Sequence, residues 1–352
     1  MLEGNIVFKK KFVPHSIAFE LTLKCNMRCL HCGSAAGNAR KNELSTEEWL
    51  ALCKDASILG CKRIGLLGGE PFLRKDWFEI AQNINDLGMD LSIVTNGSLI
   101  DDKLISDLKA IKPYSVAISL DGGNAKTHDS IRKTNGSFEK CKEAFDLLRE
   151  ANIPTTAVTT VHKMNFKDLP ILKELLLNRG IAWQIQIADS SGRCPENIHI
   201  SKEEFYSIAL FIASTRKQHS VKELPITGGH CIGYNSSFLP NVTMPVKWTG
   251  CQAGISILGI ESNGNVKGCL SLPPNFIEDN VRNRSLIEIW NDPDFFKYNR
   301  KFNTEQLKDE CKDCKYGKTC KGGCTSASYS STGKIHSNPY CLHRIEQETF
   351  SK

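Results

Sequence analysis

Three cysteines close to the N-terminus have the spacing of a metal-binding motif. Cys25, Cys29 and Cys32 form a C-x3-C-x2-C array, here called the first set, which directly follows a strand-like run. A tetrahedral zinc site normally takes four protein ligands, so three thiolates do not complete one. They suit an iron–sulfur cube in which cysteine holds three irons and the fourth iron stays open to a small molecule. Taken alone, the array also allows a structural metal knuckle or cysteines that share no role.

Seven further cysteines are grouped near the C-terminus. They are Cys251, Cys269, Cys311, Cys314, Cys320, Cys324 and Cys341. Lysines and glycines fill most positions between the cysteines of 311–324, and the few apolar residues there cannot form a core unaided. Metals or cross-links must therefore organise this segment. Zinc ribbons use two C-x2-C pairs, whereas this group contains one.

The composition predicts a cytoplasmic globular protein. The 352 residues, of which 40% are hydrophobic and 24% charged, suffice for one large α/β domain and a smaller one. A net charge of +6 is too small to indicate a nucleic-acid partner. No apolar stretch has the length of a membrane span, and the N-terminus lacks the apolar core of a signal peptide. Because disulfides are rare in the cytosol, the grouped cysteines among the 15 present indicate metal chemistry.

Strand-like and helix-like segments alternate along the first half of the chain. Strands are predicted at 17–23, 63–67, 91–95, 115–120, 155–161 and 183–188, and helices at 46–59, 77–87, 102–111, 138–151 and 169–179. This alternation predicts an α/β fold with a parallel sheet and right-handed crossovers, although periodicity does not distinguish an open sheet from a barrel. One more helix is predicted at 202–218, and a stretch rich in glycine and proline follows it.

Glycine-containing motifs follow three of the predicted strands. They are Gly68-Gly69-Glu70-Pro71 after the second strand, Thr95-Asn96-Gly97 after the third, and Ser119-Leu120-Asp121-Gly122 after the fourth. In isolation each motif is a turn signal. Their shared position at strand ends, where barrels bind their ligands, predicts that they form one site.

With His31 placed before its third cysteine, the first set resembles the signature of the radical S-adenosylmethionine (SAM) superfamily. The resemblance implies a partial (β/α)6 barrel at 15–200, preceded by a lead-in at 1–14, and a [4Fe–4S] cluster whose open iron chelates SAM. Reductive cleavage of SAM would then give a 5′-deoxyadenosyl radical. By the same resemblance, Gly68, Gly69 and Glu70 would hold the methionyl amino group. Ser119 would lie near the carboxylate or ribose, Asp121 near sugar hydroxyls, and Arg132 would face the carboxylate.

The C-terminal cysteines resemble the SPASM domain of this superfamily at all seven positions, which places that domain at 248–345 after a helix and linker at 201–247. The resemblance implies two auxiliary [4Fe–4S] clusters. Cys311, Cys314, Cys320 and Cys341, the outer set, would hold one of them. Cys251, Cys269 and Cys324, the inner set, would hold the other, with its fourth iron open or bound by Cys231.

Two positions differ from the sulfatase-maturing members of the family. Those relatives carry an extra cysteine where this chain has Ile257, and an aspartate base where it has Leu270. The differences weaken a sulfatase-maturing interpretation, and no other residue is singled out as a catalytic acid or base.

The sequence therefore predicts a radical SAM enzyme that modifies a ribosomally made peptide or protein, by crosslinking or another oxidation. A reductant such as flavodoxin or ferredoxin is an expected partner. Only about a dozen residues precede the first strand, so leader recognition, if needed, is expected from a separate leader-binding protein or from the linker region. Two alternatives stay open: a small-molecule substrate such as a tetrapyrrole or another cofactor precursor, and an electron carrier without radical chemistry.

Overall fold

One ten-stranded sheet runs through the residues that the computed structural model describes, which are 12–243 and 248–350. The strands are β1 (Ser16–Thr22), β2 (Arg63–Gly68), β3 (Asp90–Thr95), β4 (Ser115–Ser119), β5 (Thr155–Val161), β6 (Ile181–Ile187), β7 (Ile226–Gly228), β8 (Ile257–Ile260), β9 (Asn265–Lys267) and β10 (Asp279–Asn280). Their spatial order is β10-β9-β8-β1-β2-β3-β4-β5-β6-β7. Strands β1 to β6 pair in parallel with their neighbours, which confirms the predicted partial (β/α)6 barrel.

Helices connect the barrel strands and complete the C-terminal part. They are α1 (Thr46–Leu59), α2 (Trp77–Asp86), α3 (Asp102–Ile111), α4 (Ala125–Arg132), α5 (Ser137–Glu150), α6 (Leu169–Leu176), α7 (Lys202–Gln218), α8 (Leu286–Asn291), α9 (Lys297–Arg300), α10 (Gly317–Cys320), α11 (Thr325–Thr332) and α12 (Leu342–Phe350). The main core lies between sheet and helices, with Phe19, Trp49 and Trp183 fully buried in it. No helix in the described ranges is long and apolar enough to cross a membrane.

Local sequence signals account for the ends of several elements. The predicted capping box of α1 is present, because Ser45 accepts from the Glu48 amide and the Glu48 carboxylate accepts from the Ser45 amide. Three details differ from the sequence prediction. Helix α4 is an additional helix, α6 ends three residues before the predicted position 179, and the linker contributes the short strand β7.

The C-terminal segment continues the barrel sheet through strand β8. Residues Ser16 to Phe19 of β1 pair in parallel with Ile257 to Ile260 of β8, and β9 then pairs antiparallel with β8. The predicted hairpin turn at Asn263-Gly264 is confirmed, and Gly264 adopts a φ of +91°. The sheet thus crosses the predicted domain boundary at 248, and that boundary stays a prediction.

Buried charges reinforce this junction between barrel and hairpin. The Glu20 carboxylate on β1 accepts hydrogen bonds from Arg40 at 2.9 Å and from the amide and hydroxyl of Ser262 at 3.1 and 3.0 Å. Glu261 in turn pairs with the buried Lys267 at 2.8 Å. Each carboxylate has a cationic partner, as burial of a charge requires.

Two glycines at the end of β2, Gly68 and Gly69, lie directly against the loop that carries the first set. The Gly69 amide donates to Thr22 O and the Glu70 amide to Lys24 O, both at 2.8 Å. A Cβ atom on Gly68 would clash with Thr22 O, and one on Gly69 would clash with Lys24 O. These glycines are therefore required for contact between two backbones at the start of the first cysteine loop.

The substitution Gly69→Ala tests this contact. We expect it to displace the 22–25 backbone, to destabilise the fold by about 1–3 kcal/mol as overpacking does, and to lower the iron bound at the first set. Thermal unfolding and iron analysis of the purified protein measure both effects. Gly65→Ala is the matched control, since its Cβ would meet only Leu67 Cδ2 at 3.9 Å. Equal behaviour of the two variants would contradict the proposed role of Gly69.

Candidate active site: two cysteine sets at a central cavity and a third at a separate one

The first set lies in the loop after β1 and lines one wall of a cavity of about 580 Å³, here called the central cavity. Each of its three sulfurs accepts an N–H hydrogen bond. The donors are the Met27 amide to Cys25 at 3.4 Å, the Ala36 amide to Cys32 at 3.3 Å and the Arg132 guanidinium to Cys29 at 3.6 Å. None of the three cysteines forms a disulfide. Free thiols with N–H donors directed at them fit the ligation of an iron–sulfur cluster, because such bonds stabilise thiolate ligands.

The loop after β6 fixes the other side of the first set. Arg193 donates to Cys29 O at 3.2 Å and to Ala36 O at 2.6 Å. Gly192, with a φ of +61°, lies so close that a Cβ there would clash with Cys32 O. The side chain of Arg193 and the close approach of Gly192, both more than 150 residues away in sequence, therefore hold the first cysteine loop in one conformation.

Glu70 connects the ends of two strands and lies behind the cavity wall. Its buried carboxylate accepts from Thr95 Oγ1 and from the Asn96 amide, both at 2.8 Å. Burial raises the pKa of Glu70 to about 7. Gly68 and Gly69 line the central cavity, whereas the Glu70 side chain does not. The contact of these three residues with the SAM amino group stays a prediction, and for Glu70 the observed contacts are with the turn after β3.

Asp121 is fully buried in an ionic network next to the first set. Its carboxylate pairs with Arg132, lies 3.3 Å from His31 Nε2, and accepts from the Thr160 amide at 2.8 Å. Burial alone would raise the pKa of Asp121, but the positive charge of the Arg132 guanidinium, with a smaller contribution from His31, brings it below its ordinary value. The carboxylate is thus ionised, and Asp121 is not among the residues that line the cavity. The sugar-hydroxyl contact predicted for Asp121 stays a prediction.

Arg132 and Ser119 both line the central cavity, and their predicted position near the cosubstrate stays a prediction. The Arg132 guanidinium, however, is engaged by Asp121 and by the sulfur of Cys29. Its predicted contact with the SAM carboxylate stays a prediction. The observed contacts give Arg132 a second role, which is to place a fixed positive charge at a sulfur of the first set.

The inner set also lines the central cavity. It consists of Cys251, Cys269 and Cys324. The pKa of Cys251 is lowered, chiefly because its sulfur shares a hydrogen bond with the Cys324 thiol. Lys267 donates to Leu270 O at 3.1 Å and to Leu272 O at 2.6 Å, and so fixes the loop that carries Cys269.

Cys231 follows β7 in the chain and also lines the central cavity, where its side chain lies beside the end of β6. Its sulfur accepts from the Ile187 amide at 3.4 Å, and burial raises the pKa of its thiol to about 11. Ile257 and Leu270, which replace residues of the sulfatase-maturing relatives, line the cavity as well. Whether Cys231 binds the fourth iron at the inner set, or that iron stays open, remains a prediction.

The outer set surrounds a separate, smaller cavity. Cys311, Cys314, Cys320 and Cys341 line it together with Tyr234 and Tyr316. The sequence thus grouped the seven C-terminal cysteines as the structure does, into three at the central cavity and four at the outer one.

Several residues of the site carry no sequence signal that identifies them. Arg193, Tyr234 and Trp248 reach the cysteine sets from distant parts of the chain, whereas Lys267 binds the loop of Cys269 from close by in sequence. A single arginine, lysine or aromatic residue in a loop has many structural roles, so spacing alone could not select them. For Lys267 alone a weak signal exists, since it comes two residues before Cys269 at the end of a predicted hairpin strand.

Comparisons with known proteins agree with this geometry. The sequence model of the radical SAM superfamily matches residues 19–176, and that of an iron–sulfur cluster-binding domain, SPASM, matches 251–315. The chain is 30% identical to an AdoMet-dependent heme synthase of Methanosarcina barkeri, over 94% of this chain and 97% of that protein. It is 24% identical to a PqqA peptide cyclase of Granulibacter bethesdensis, over 96% of this chain and 91% of that protein.

A solved structure shares the fold. Streptococcus suis SuiB, crystallised with its precursor peptide SuiA, superposes with a TM-score of 0.77 at 17% identity, over 94% of this chain and 76% of that one. The match covers both the barrel and the cysteine-rich segment. This chain therefore belongs to the radical SAM superfamily, carries a C-terminal SPASM domain, and has [4Fe–4S] clusters and SAM as its cofactors.

Proposed function

We propose that this radical SAM enzyme oxidises a ribosomally made peptide or protein, whose reacting side chain binds in the central cavity. The observation that carries the proposal is that the first set and the inner set line the same cavity. A substrate between them is within reach of both centres. The first cluster, when present, supplies the electron that cleaves SAM to the 5′-deoxyadenosyl radical.

The polar lining of the cavity suits an amide-bearing substrate. Gln184 and Gln186 are two residues apart on β6 and both line the cavity, and the Gln186 amide nitrogen donates to Thr160 Oγ1 at 3.0 Å. Amide side chains both donate and accept hydrogen bonds, and so complement the N–H and C=O groups of a peptide. The name of the PqqA peptide cyclase, which matches over most of its length, supports the same substrate class.

The charges of the cavity do not favour a substrate with many carboxylates. Among the described lining residues, Arg132 and Arg193 are the arginines, and no lysine lines the cavity. Arg132 is paired with Asp121, and Arg193 is bound to two backbone carbonyls. Neither guanidinium is free to pair with a substrate carboxylate without breaking these contacts.

An oxidation that leaves one electron on the substrate suits this arrangement. Formation of one crosslink removes two hydrogens: the 5′-deoxyadenosyl radical takes one hydrogen atom, and the second leaves as a proton and an electron. The inner set faces the substrate position and is the proposed acceptor of that electron. Crosslinking and related oxidations are therefore the proposed reaction type.

A tetrapyrrole substrate is the second candidate. The specific observation in its favour is the 30% identity to an AdoMet-dependent heme synthase over nearly the whole of both chains. A porphyrin would present a flat apolar ring with carboxylate side chains to the cavity. The reductant and the separate leader-binding protein expected from the sequence stay predictions under either candidate.

A direct comparison of substrates decides between the two candidates. The reconstituted protein is incubated without oxygen with dithionite and SAM. It receives either the product of a short reading frame neighbouring its gene or an iron porphyrin with propionate groups. We expect the peptide to lose two hydrogens per crosslink, as measured by mass spectrometry, and the porphyrin to be recovered unchanged. Modification of the porphyrin but not of the peptide would overturn the peptide proposal in favour of the second candidate.

Single cysteine replacements separate the roles of the sets. Cys29→Ala should abolish 5′-deoxyadenosine formation, because the first set loses a ligand. Cys314→Ala should leave part of that cleavage but stop substrate turnover, because only the outer set is damaged. The wild type should bind about 12 irons per chain if three cubane clusters form.

Cys194→Ser is the matched control for these replacements. Cys194 lies outside the three sets and outside the linings of both cavities. The iron content and the SAM cleavage of the Cys194→Ser variant should therefore equal those of the wild type. About 4 irons in the wild-type protein would contradict the two auxiliary clusters. Full turnover by the Cys314→Ala variant would contradict a role for the outer set.

A further inference from the structure

The linker places one aromatic side chain between the inner and outer sets. The Tyr234 hydroxyl accepts hydrogen bonds from the Cys324 amide at 3.0 Å and from Asn338 Nδ2 at 2.7 Å. Cys324 belongs to the inner set. Tyr234 also lines the cavity of the outer set together with all four of its cysteines. A single residue thus contacts the backbone of one set and borders the other.

The position of this side chain is fixed by its neighbours. Gly323, with a φ of +83°, packs so closely that a Cβ atom there would lie 2.7 Å from Tyr234 Cε2. On another side the ring packs against Trp248, with 4.6 Å between ring centroids. Trp248 Nε1 donates to Cys320 O of the outer set at 3.2 Å, and the Trp248 side chain also lines the central cavity. The Tyr234–Trp248 pair therefore extends from the central cavity to the outer set.

The hydroxyl of Tyr234 retains a proton that can be donated. A phenol has one O–H donor and two acceptor lone pairs, and the Cys324 and Asn338 donors occupy the lone pairs. Within 12–243 and 248–350 no protein group accepts the remaining proton. The sulfur atoms of an auxiliary cluster are the acceptors that these surroundings would offer.

We propose that Tyr234 is a positioning residue for both auxiliary centres. Its side chain holds the Cys324 backbone of the inner set and directs the hydroxyl proton at a cluster sulfur. Hydrogen bonds to ligand and cluster sulfurs are among the main determinants of the reduction potential of iron–sulfur centres. Tyr234 therefore tunes the potentials at which the auxiliary centres take up and release electrons. This role concerns the cofactors alone, and it holds whether the substrate is a peptide or a tetrapyrrole.

The substitution Tyr234→Phe tests the proposal, because it keeps the ring and removes the hydroxyl. We expect the variant to bind as much iron as the wild type. We also expect the midpoint potential of at least one auxiliary cluster to become more negative, since an O–H donor stabilises the reduced form. A redox titration followed by electron paramagnetic resonance measures the three clusters separately, and the midpoint potential of the first cluster should stay unchanged.

Tyr316→Phe is the matched control, because Tyr316 lines the same outer cavity but has its ring against His343, and the Cys320 amide donates to its backbone carbonyl, which the substitution leaves in place. Its auxiliary potentials should equal those of the wild type. Wild-type potentials in Tyr234→Phe, or equal shifts in both variants, would overturn the proposal. Loss of iron from Tyr234→Phe to the level of Cys314→Ala would also overturn it, because the residue would then serve assembly rather than tuning.

Discussion

The pairing of β1 with β8 fixes the position of the first set relative to the inner set. The loop after β1 carries the first set, while Cys251 precedes β8 and Cys269 follows β9. Four residue pairs join the two strands in parallel, and the Glu20 carboxylate holds Ser262 from across the junction. The cysteine-rich segment therefore cannot move independently of the barrel without breaking a sheet. A rigid junction of this kind suits a reaction in which one substrate must face two centres.

The cysteine sets could be predicted from the sequence because their chemistry is local. Thiolate spacing restricts which metal centre is possible, and glycines at strand ends mark positions where backbones approach closely. The remaining contacts of the site join residues far apart in the chain, such as Arg193 with Cys29 or Tyr234 with Cys324. Strand β7 has only three residues and forms through its pairing with β6, so it leaves no periodic pattern in the sequence. Helix α4 follows two glycines, which are typical of a turn, so the sequence pattern does not indicate that a helix begins there.

Two acidic residues of the strand-end motifs have protein groups as their observed neighbours. Glu70 and Asp121 both stand at strand ends, as predicted, yet both carboxylates are buried and bind protein groups. Burial of an acidic side chain is favourable only when donors or cations surround it. Each carboxylate here has at least three such neighbours, so both act as supports for the loops that line the central cavity. Sequence spacing locates such residues but does not show which way the oxygens point.

The Asp121–Arg132 pair explains why the first set tolerates a buried cation beside it. Removal of one partner of a buried ion pair costs about 3–5 kcal/mol, because the other charge is left without compensation. Arg132 without Asp121 would be such a charge next to Cys29, and Asp121 without Arg132 would repel the thiolates of the first set. The pair is thus more than a local stabilising contact. It keeps the surrounding network close to electrically neutral. At the same time it places a positive charge and an N–H donor at one ligand sulfur, and the charge and the donor would both favour a reduced cluster at that position.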